Sequence, residues 1–474
     1  MRRPYRARAW RVQTGLVRRF VLLAWASGLA ALAACGGPSA AHTSTPAPTA
    51  ASSASNPAGG HPTNWLQYHG NEARTGAVAG LPPAGSLALA WSRQLSGAVY
   101  GEPLVVGHTV VAATETDDVY GLSWRTGAVL WKTRVGTPVP IGDQPCGNIN
   151  PLGITSTPVY DPATKLVYVV AQDGKDGHLL AGLTLAGKLK VREEVPSPDH
   201  EPFYDQQRGA LALTDGHVYV VFGGHYGDCG PYLGSVEGMP ATGHGPVYSY
   251  VVPTMKQGGI WGTGGPVIAP DGTIYVSAGN GAPNPLKFDG SDSVTALTPQ
   301  LKRTGIFAPA DWRMLSDDDL DLGSASPALL SDGQILQVGK SGTGYLLSAR
   351  SLRGVGGQIA QGQVCAAFGG PAVVGKVAYI PCLTGLAAVD TAGNAVRVEW
   401  RGPPSAWGSP AIGGGAVWVA SPYTGVLYEL SPVTGKVRAQ IKVAGELPHF
   451  VSPSLSGSLV FIGTMTGIVA VSGA

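Results

Sequence analysis

The chain has 474 residues, of which 69 are Gly and 38 are Pro, nearly twice the usual share of residues that break helices. Only 13% are charged and 44% are hydrophobic, which excludes a coiled coil, a highly charged disordered chain and a helical bundle. A turn-rich, all-β protein with a large core remains. The formal charge of +2 is set by the first residues and does not describe the body of the chain.

Residues 1–34 read as an export signal. Seven arginines (Arg2, Arg3, Arg6, Arg8, Arg11, Arg18, Arg19) precede an apolar run from Phe20 to Ala34 with no acid among them, the order of a basic region and a short hydrophobic region. The run is shorter than the ~20 residues a spanning helix needs. Without this leader 25 Lys and Arg face 30 Asp and Glu, a balance of −5. Nucleic-acid binding therefore gains no support from charge, and no basic–aromatic interleaving supports it either. Leu32-Ala33-Ala34-Cys35-Gly36 resembles the lipobox of bacterial lipoproteins, which implies diacylation of Cys35 and anchoring to membrane lipid without spanning. Residues 35–62, rich in Ala, Ser, Thr, Pro and Gly, follow as a disordered tether. Arg18-Arg19-Phe20 departs in spacing from a twin-arginine signal, which leaves the export route open. The expected location is the outer face of the cytoplasmic membrane or the cell envelope.

From residue 63 to 474 the chain reads as one repeat domain. Units start at Pro103, Pro158, Ala210, Pro266, Pro327, Pro371, Pro410 and Pro453, each with short β-rich strands separated by Gly-containing turns. This spacing predicts an eight-bladed β-propeller of four-stranded antiparallel blades. The count becomes seven if the irregular stretch around Gly223–Gly245 prevents the third unit from forming a blade. The eighth unit runs out at Ala474 one strand short, and Leu87–Leu95 is predicted to supply that strand, so that the two ends of the chain close the ring.

Four cysteines follow Cys35, and an even number in an exported chain suggests two disulfides with three possible pairings. In a blade whose first two strands form a hairpin, the start of the first and the end of the second share a face. That rule favours Cys146–Cys229 and Cys365–Cys382. A four-cysteine metal site lacks any Cys-x-x-Cys spacing.

Val119-Tyr120-Gly121-Leu122 leading to Thr126-Gly127 and Trp131, and Val426–Leu430 leading to Thr434-Gly435, resemble the repeats of the pyrroloquinoline quinone (PQQ) propeller family. Trp65-x-x-Tyr68-x-Gly70 with Arg74-Thr75-Gly76 is similar to that family's entry segment. The resemblance implies a candidate site. Trp261 and Lys340 would contact PQQ, Asn280 in Gly279-Asn280-Gly281 would ligate Ca²⁺, and Asp318 or Asp321 would be the catalytic carboxylate beside Lys340. By the hairpin rule all four stretches lie on one face. The chain has no vicinal Cys-Cys pair, and Pro151–Ser156 stands where the family has a calcium-binding glutamate. Two functions follow from the resemblance: a non-catalytic, lipid-anchored scaffold presenting one face to a protein partner or small ligand, like the family's outer-membrane assembly lipoprotein, or a PQQ- and Ca²⁺-dependent dehydrogenase of alcohols or sugars.

Overall fold

A computed structural model describes residues 61–174, 177–197, 201–282 and 287–473. The export signal, Cys35 and nearly all of the tether lie outside these residues.

Eight antiparallel sheets form the ring. In blade 1 the strands are Leu104–Val106, Thr109–Ala113, Asp118–Ser123 and Val129–Arg134, from the axis outward. The innermost strands of blades 2 to 8 are Val159–Asp161, Ala212–Thr214, Val267–Ile268, Ala328–Leu329, Ala372–Val374, Ala411–Gly413 and Ser454–Ser456. Each begins one or two residues after a unit start expected from sequence. Seven of those starts are prolines, which lack an N–H to give to a ladder and so sit just ahead of the first paired residue. Blade 8 takes its outer strand, Ala88–Gln94, from the other end of the chain, antiparallel to Gly467–Ser472. The count is eight, and the third unit does form a blade despite its irregular stretch.

Neighbouring blades are keyed together by tryptophans. Trp131, on the outer strand of blade 1, donates its indole N–H to Leu185 O of blade 2 at 2.7 Å and covers Gly187, which has a φ of 75° and where a Cβ would come within 2.7 Å of the ring. Trp91 of blade 8 repeats this over Gly127 of blade 1, with its N–H on Trp124 O, and Trp400 of blade 6 repeats it over Gly435 of blade 7, with its N–H on Pro432 O. The Thr-Gly turn and the Trp in the repeat are thus two halves of one inter-blade contact. The inner three strands of most blades are buried on both faces, whereas outer strands such as Val437–Lys442 expose alternate residues. Low overall charge follows, because few strand positions face water.

Chain direction defines two faces. The segments entering each inner strand and the loops between second and third strands lie on the upper face; the other turns lie on the lower one. Residues 61–78 run as a strap along the inner ends of the blades. Thr63 N–H reaches Ser456 Oγ in blade 8, Trp65 bridges Val105 in blade 1, and Leu66 O accepts from Tyr160 in blade 2. Arg74 donates to Leu211 O of blade 3 and Pro266 O of blade 4, Thr75 O accepts from Val373 of blade 6, and Val78 donates to Ile412 of blade 7. Tyr68 and His69 plug the axis, where His69 Nε2 meets Ser452 Oγ at 3.2 Å. Burial lowers the His69 pKa to about 3 and keeps the ring neutral.

Three features depart from the simple repeat. Asp205–Gln206 adds a short strand to blade 3, and Gly354–Val355 pairs in parallel with the outer strand of blade 4, Arg303–Ala308. Trp312–Asp317, between the outer strand of blade 4 and the inner strand of blade 5, is a helix with Trp312 and Leu315 buried.

Candidate functional site

Both disulfides form as the hairpin rule expects: Cys146–Cys229 with Cα atoms 6.2 Å apart, and Cys365–Cys382 with Cα atoms 5.7 Å apart. Both lie on the upper face, where they hold loops of blades 1 to 3 and of blades 5 and 6. Cys365 also packs on Gly342, two residues beyond Lys340.

Trp261, Asn280, Asp321 and Lys340 converge on that face. Trp261 lies ahead of the inner strand of blade 4, Asn280 follows its second strand, Ile274–Ala278, and Lys340 follows the second strand of blade 5, Gln334–Val338. Lys340 Nζ lies 5.6 Å from the centre of the Trp261 ring and over it. It bonds Asp319 Oδ1 at 2.7 Å and also Asp321 Oδ2. The other oxygen of Asp321 accepts the backbone N–H of Asn280 at 2.6 Å. Gly279 and Gly339 permit this closeness, since a Cβ at the first would collide with the Asp321 carboxylate and one at the second with the Asp321 main chain. Burial opposes the charge on Lys340, but Asp321 and Asp319 outweigh it and hold the ammonium pKa above its usual value. Behind the loop, buried Asp292 accepts from Leu322 N–H at 2.8 Å and Ser316 Oγ at 2.7 Å.

Asp318 lies outside this cluster. It is exposed at the end of the short helix, where its N–H bonds Met314 O; Asp319, in left-handed backbone with φ 55°, turns toward Lys340 instead. The residues also fit a calcium ion poorly at the Asn280 loop. Both Asp321 oxygens are committed, Asn280 presents a backbone donor where a cation needs acceptors, and among the described residues no three His, Cys, Asp or Glu side chains converge as metal ligands.

Beside this corner runs an aromatic wall. Phe368 and Phe450 stack at 6.0 Å and 4°, with Trp261 6.2 and 6.4 Å from them. Arg208 lies over Phe450 and Tyr100, 5.6 Å from each ring, and donates to His449 O at 3.0 Å. Such a wall can hold a flat or apolar group with a cation at its edge. Exposed Ile141, Tyr226, Met255, Met314, Leu383, Tyr423 and Met465 occupy upper-face loops, Met255 being 89% exposed. On the lower face a cleft of about 1060 Å³ opens between blades 4 and 5, lined by Tyr275, Leu330 and Arg353 among others. None of the residues nominated from sequence lines it.

Sequence reasoning missed Glu115. No carboxylate occurs in Pro151–Ser156, but Glu115 reaches across from blade 1, its Oε2 accepting Gly153 N–H at 2.8 Å and Thr155 Oγ at 3.1 Å. The signal available was its place, just beyond a second strand, which is the position of Asn280 and Lys340 in their own blades.

These features define an eight-bladed propeller with PQQ-like repeats. Residues 84–287 match the family model described as outer membrane protein assembly factor BamB. No curated protein sequence matches the chain significantly. Among solved structures, a quinohemoprotein alcohol dehydrogenase from Pseudomonas putida HK5 superposes with a TM-score of 0.64 at 15% identity, covering 86% of this chain and 80% of that one. A europium-containing methanol dehydrogenase gives 0.64 at 15%, covering 86% and 98%. BamB from Moraxella catarrhalis gives 0.57 at 14%, covering 82% and 100%. At these identities the likeness is one of fold.

Proposed function

We propose that this protein is a non-catalytic, lipid-anchored propeller of the bacterial envelope that presents its upper face to a protein partner or small ligand. The observation that carries this reading is the closed state of the nominated catalytic corner. Lys340 is taken up by Asp319 and Asp321, while apolar side chains stand exposed on loops of the same face. A rigid rim with exposed Met and Tyr suits docking, and two disulfides suit an oxidising compartment. The described chain begins at His61 against Gly457, on the lower face.

The meeting of Trp261, Asp321 and Lys340 favours a second reading, a quinone-dependent dehydrogenase, and one set of assays separates the two. The protein is incubated with PQQ and Ca²⁺ and tested for retained quinone absorbance and for dye reduction with alcohols and sugars; neither is expected. In cells, a photocrosslinking residue at Met255 is expected to give discrete adducts and one at Val433, on the lower face, none. Dye reduction, or equal labelling at both positions, rejects the scaffold reading. Palmitate incorporation lost in Cys35→Ala tests the anchor.

A further inference from the structure

We infer that the upper face carries a site for a hard divalent cation, of the size and chemistry of calcium, between blades 1 and 2, with Asp117 and Glu115 as its anionic ligands. Asp117 has no accessible surface, and neither of its carboxylate oxygens has a hydrogen-bond partner. Glu115 is 1% exposed, and its Oε1 is likewise without a partner while Oε2 is fixed by Gly153 and Thr155. Three carboxylate oxygens without partners thus belong to two side chains buried two residues apart in the same loop.

The backbone is shaped to hold them there. Asp117 adopts the left-handed conformation, φ 56°, with its N–H on Thr114 O and its carbonyl accepting from Val135. Its side chain points between two glycines of adjoining segments: a Cβ on Gly153 would come within 2.8 Å of Oδ1, and one on Gly136 within 3.1 Å of Oδ2. The Glu115 carbonyl lies against the same Gly153.

The neighbouring cations are used elsewhere. Lys132 and Arg134 both bind Asp118, at 3.0 and 3.1 Å, and Asp118 takes Ser96 Oγ as well. Asp173, across the blade boundary, is paired with Arg192. Arg208 faces Glu115 from blade 3, but its hydrogen bond goes to His449 O and its guanidinium stacks on Tyr100 and Phe450. Buried carboxylates left without partners are costly, and a bound ion is one of the few ways to satisfy them. Oxygen-only ligands, two of them carboxylates and the rest main-chain oxygen and water, match Ca²⁺, or Mg²⁺ with more water retained. The site shares no residue with the Trp261–Lys340 corner and holds whether or not the proposed function does.

The test uses the full exported protein with its disulfides intact, stripped with EDTA. Titration with CaCl₂, and separately with MgCl₂, is followed by calorimetry and by thermal unfolding. One Ca²⁺ per chain and a rise in Tm of several degrees are expected. Asp117→Asn and Glu115→Gln should each weaken Ca²⁺ binding by about tenfold or more, whereas Asn280→Ala should leave it unchanged. In EDTA, Asp117→Asn should fold about as stably as the parent, since it replaces a buried carboxyl that has no hydrogen-bond partner with a neutral group of the same shape, so loss of its Ca²⁺ response cannot be put down to misfolding. No binding by the parent, or binding that survives in Asp117→Asn but disappears in Asn280→Ala, overturns the inference.

Discussion

Two corners of one face solve the same problem in opposite ways. Between blades 4 and 5 the buried Asp321 gives one oxygen to Lys340 and the other to Asn280 N–H. Between blades 1 and 2 the equally buried Asp117 gives its oxygens to nothing in the chain, although Asp118 beside it is held by Arg134, Lys132 and Ser96. Partners within the chain for both Asp321 oxygens make the first corner complete without a ligand. The second is complete only with one, so this propeller places buried carboxylates on one face without dictating what satisfies them.

The largest expected effect breaks the closed corner. Lys340→Met keeps the length of the side chain over Trp261 but strands Asp321, and removing one partner of a buried pair costs about 3 kcal/mol. Urea unfolding of the variant measures it. Asp321→Asn added to Lys340→Met should recover a large part of the loss, because the uncompensated charge leaves with it. A cost below about 1 kcal/mol for Lys340→Met would place the pair with ordinary surface ion pairs and erase the contrast with Asp117.

The ring and the Trp261–Lys340 corner were open to reading from sequence, the Asp117 corner was not, and the limits are physical. The blade starts were legible because a proline or alanine ahead of each inner strand is a local requirement. Both disulfides and the meeting of Trp261, Asn280 and Lys340 followed from the hairpin rule, which needs only strand order. Choosing between Asp318 and Asp321 was harder, since it turns on the left-handed φ of Asp319 after a helix whose six residues carry little helical pattern. Glu115 escaped because its partners, Gly153 and Thr155, are 38 and 40 residues away in another blade. The strap of residues 61–78 has no period at all; its path exists only relative to the finished ring.

A smaller effect separates the corners by pH. Burial, reinforced by Glu115, pushes the Asp117 pKa up to about 9, and burial pushes Glu115 to about 7. Unfolded carboxylates titrate near 4, so between about pH 4 and 9 the folded chain holds more protons than the unfolded one. Its stability in EDTA must then fall as pH rises through that window. Asp292 at about 7 and Glu102 at about 8 act in the same direction, so the diagnostic quantity is the difference between parent and Asp117→Asn. It is bounded by one proton, about 1.4 kcal/mol per pH unit. Denaturant midpoints from pH 5 to 9 should slope less in the variant, and Ca²⁺ should flatten the parent near pH 8. Equal slopes would show that Asp117 is not the group being forced to ionise.

The smallest effect is expected at Asp318, which sequence motif alone would rank with Asp321. Its side chain faces solvent, and only its backbone N–H is engaged, with Met314 O. An acid at a helix C-terminus also opposes the carbonyl ends there. Asp318→Ala should therefore change unfolding free energy by less than about 0.5 kcal/mol, and in the stabilising direction. Asp319→Ala, which removes one of two acids from Lys340 at a half-exposed position, should cost up to about 1 kcal/mol. The order Lys340, Asp319, Asp318 in chemical denaturation is what a corner closed by Lys340 requires. If Asp318→Ala instead matched Lys340→Met, the charge balance of this corner would extend into the helix, and Lys340 would no longer be the cation that closes it.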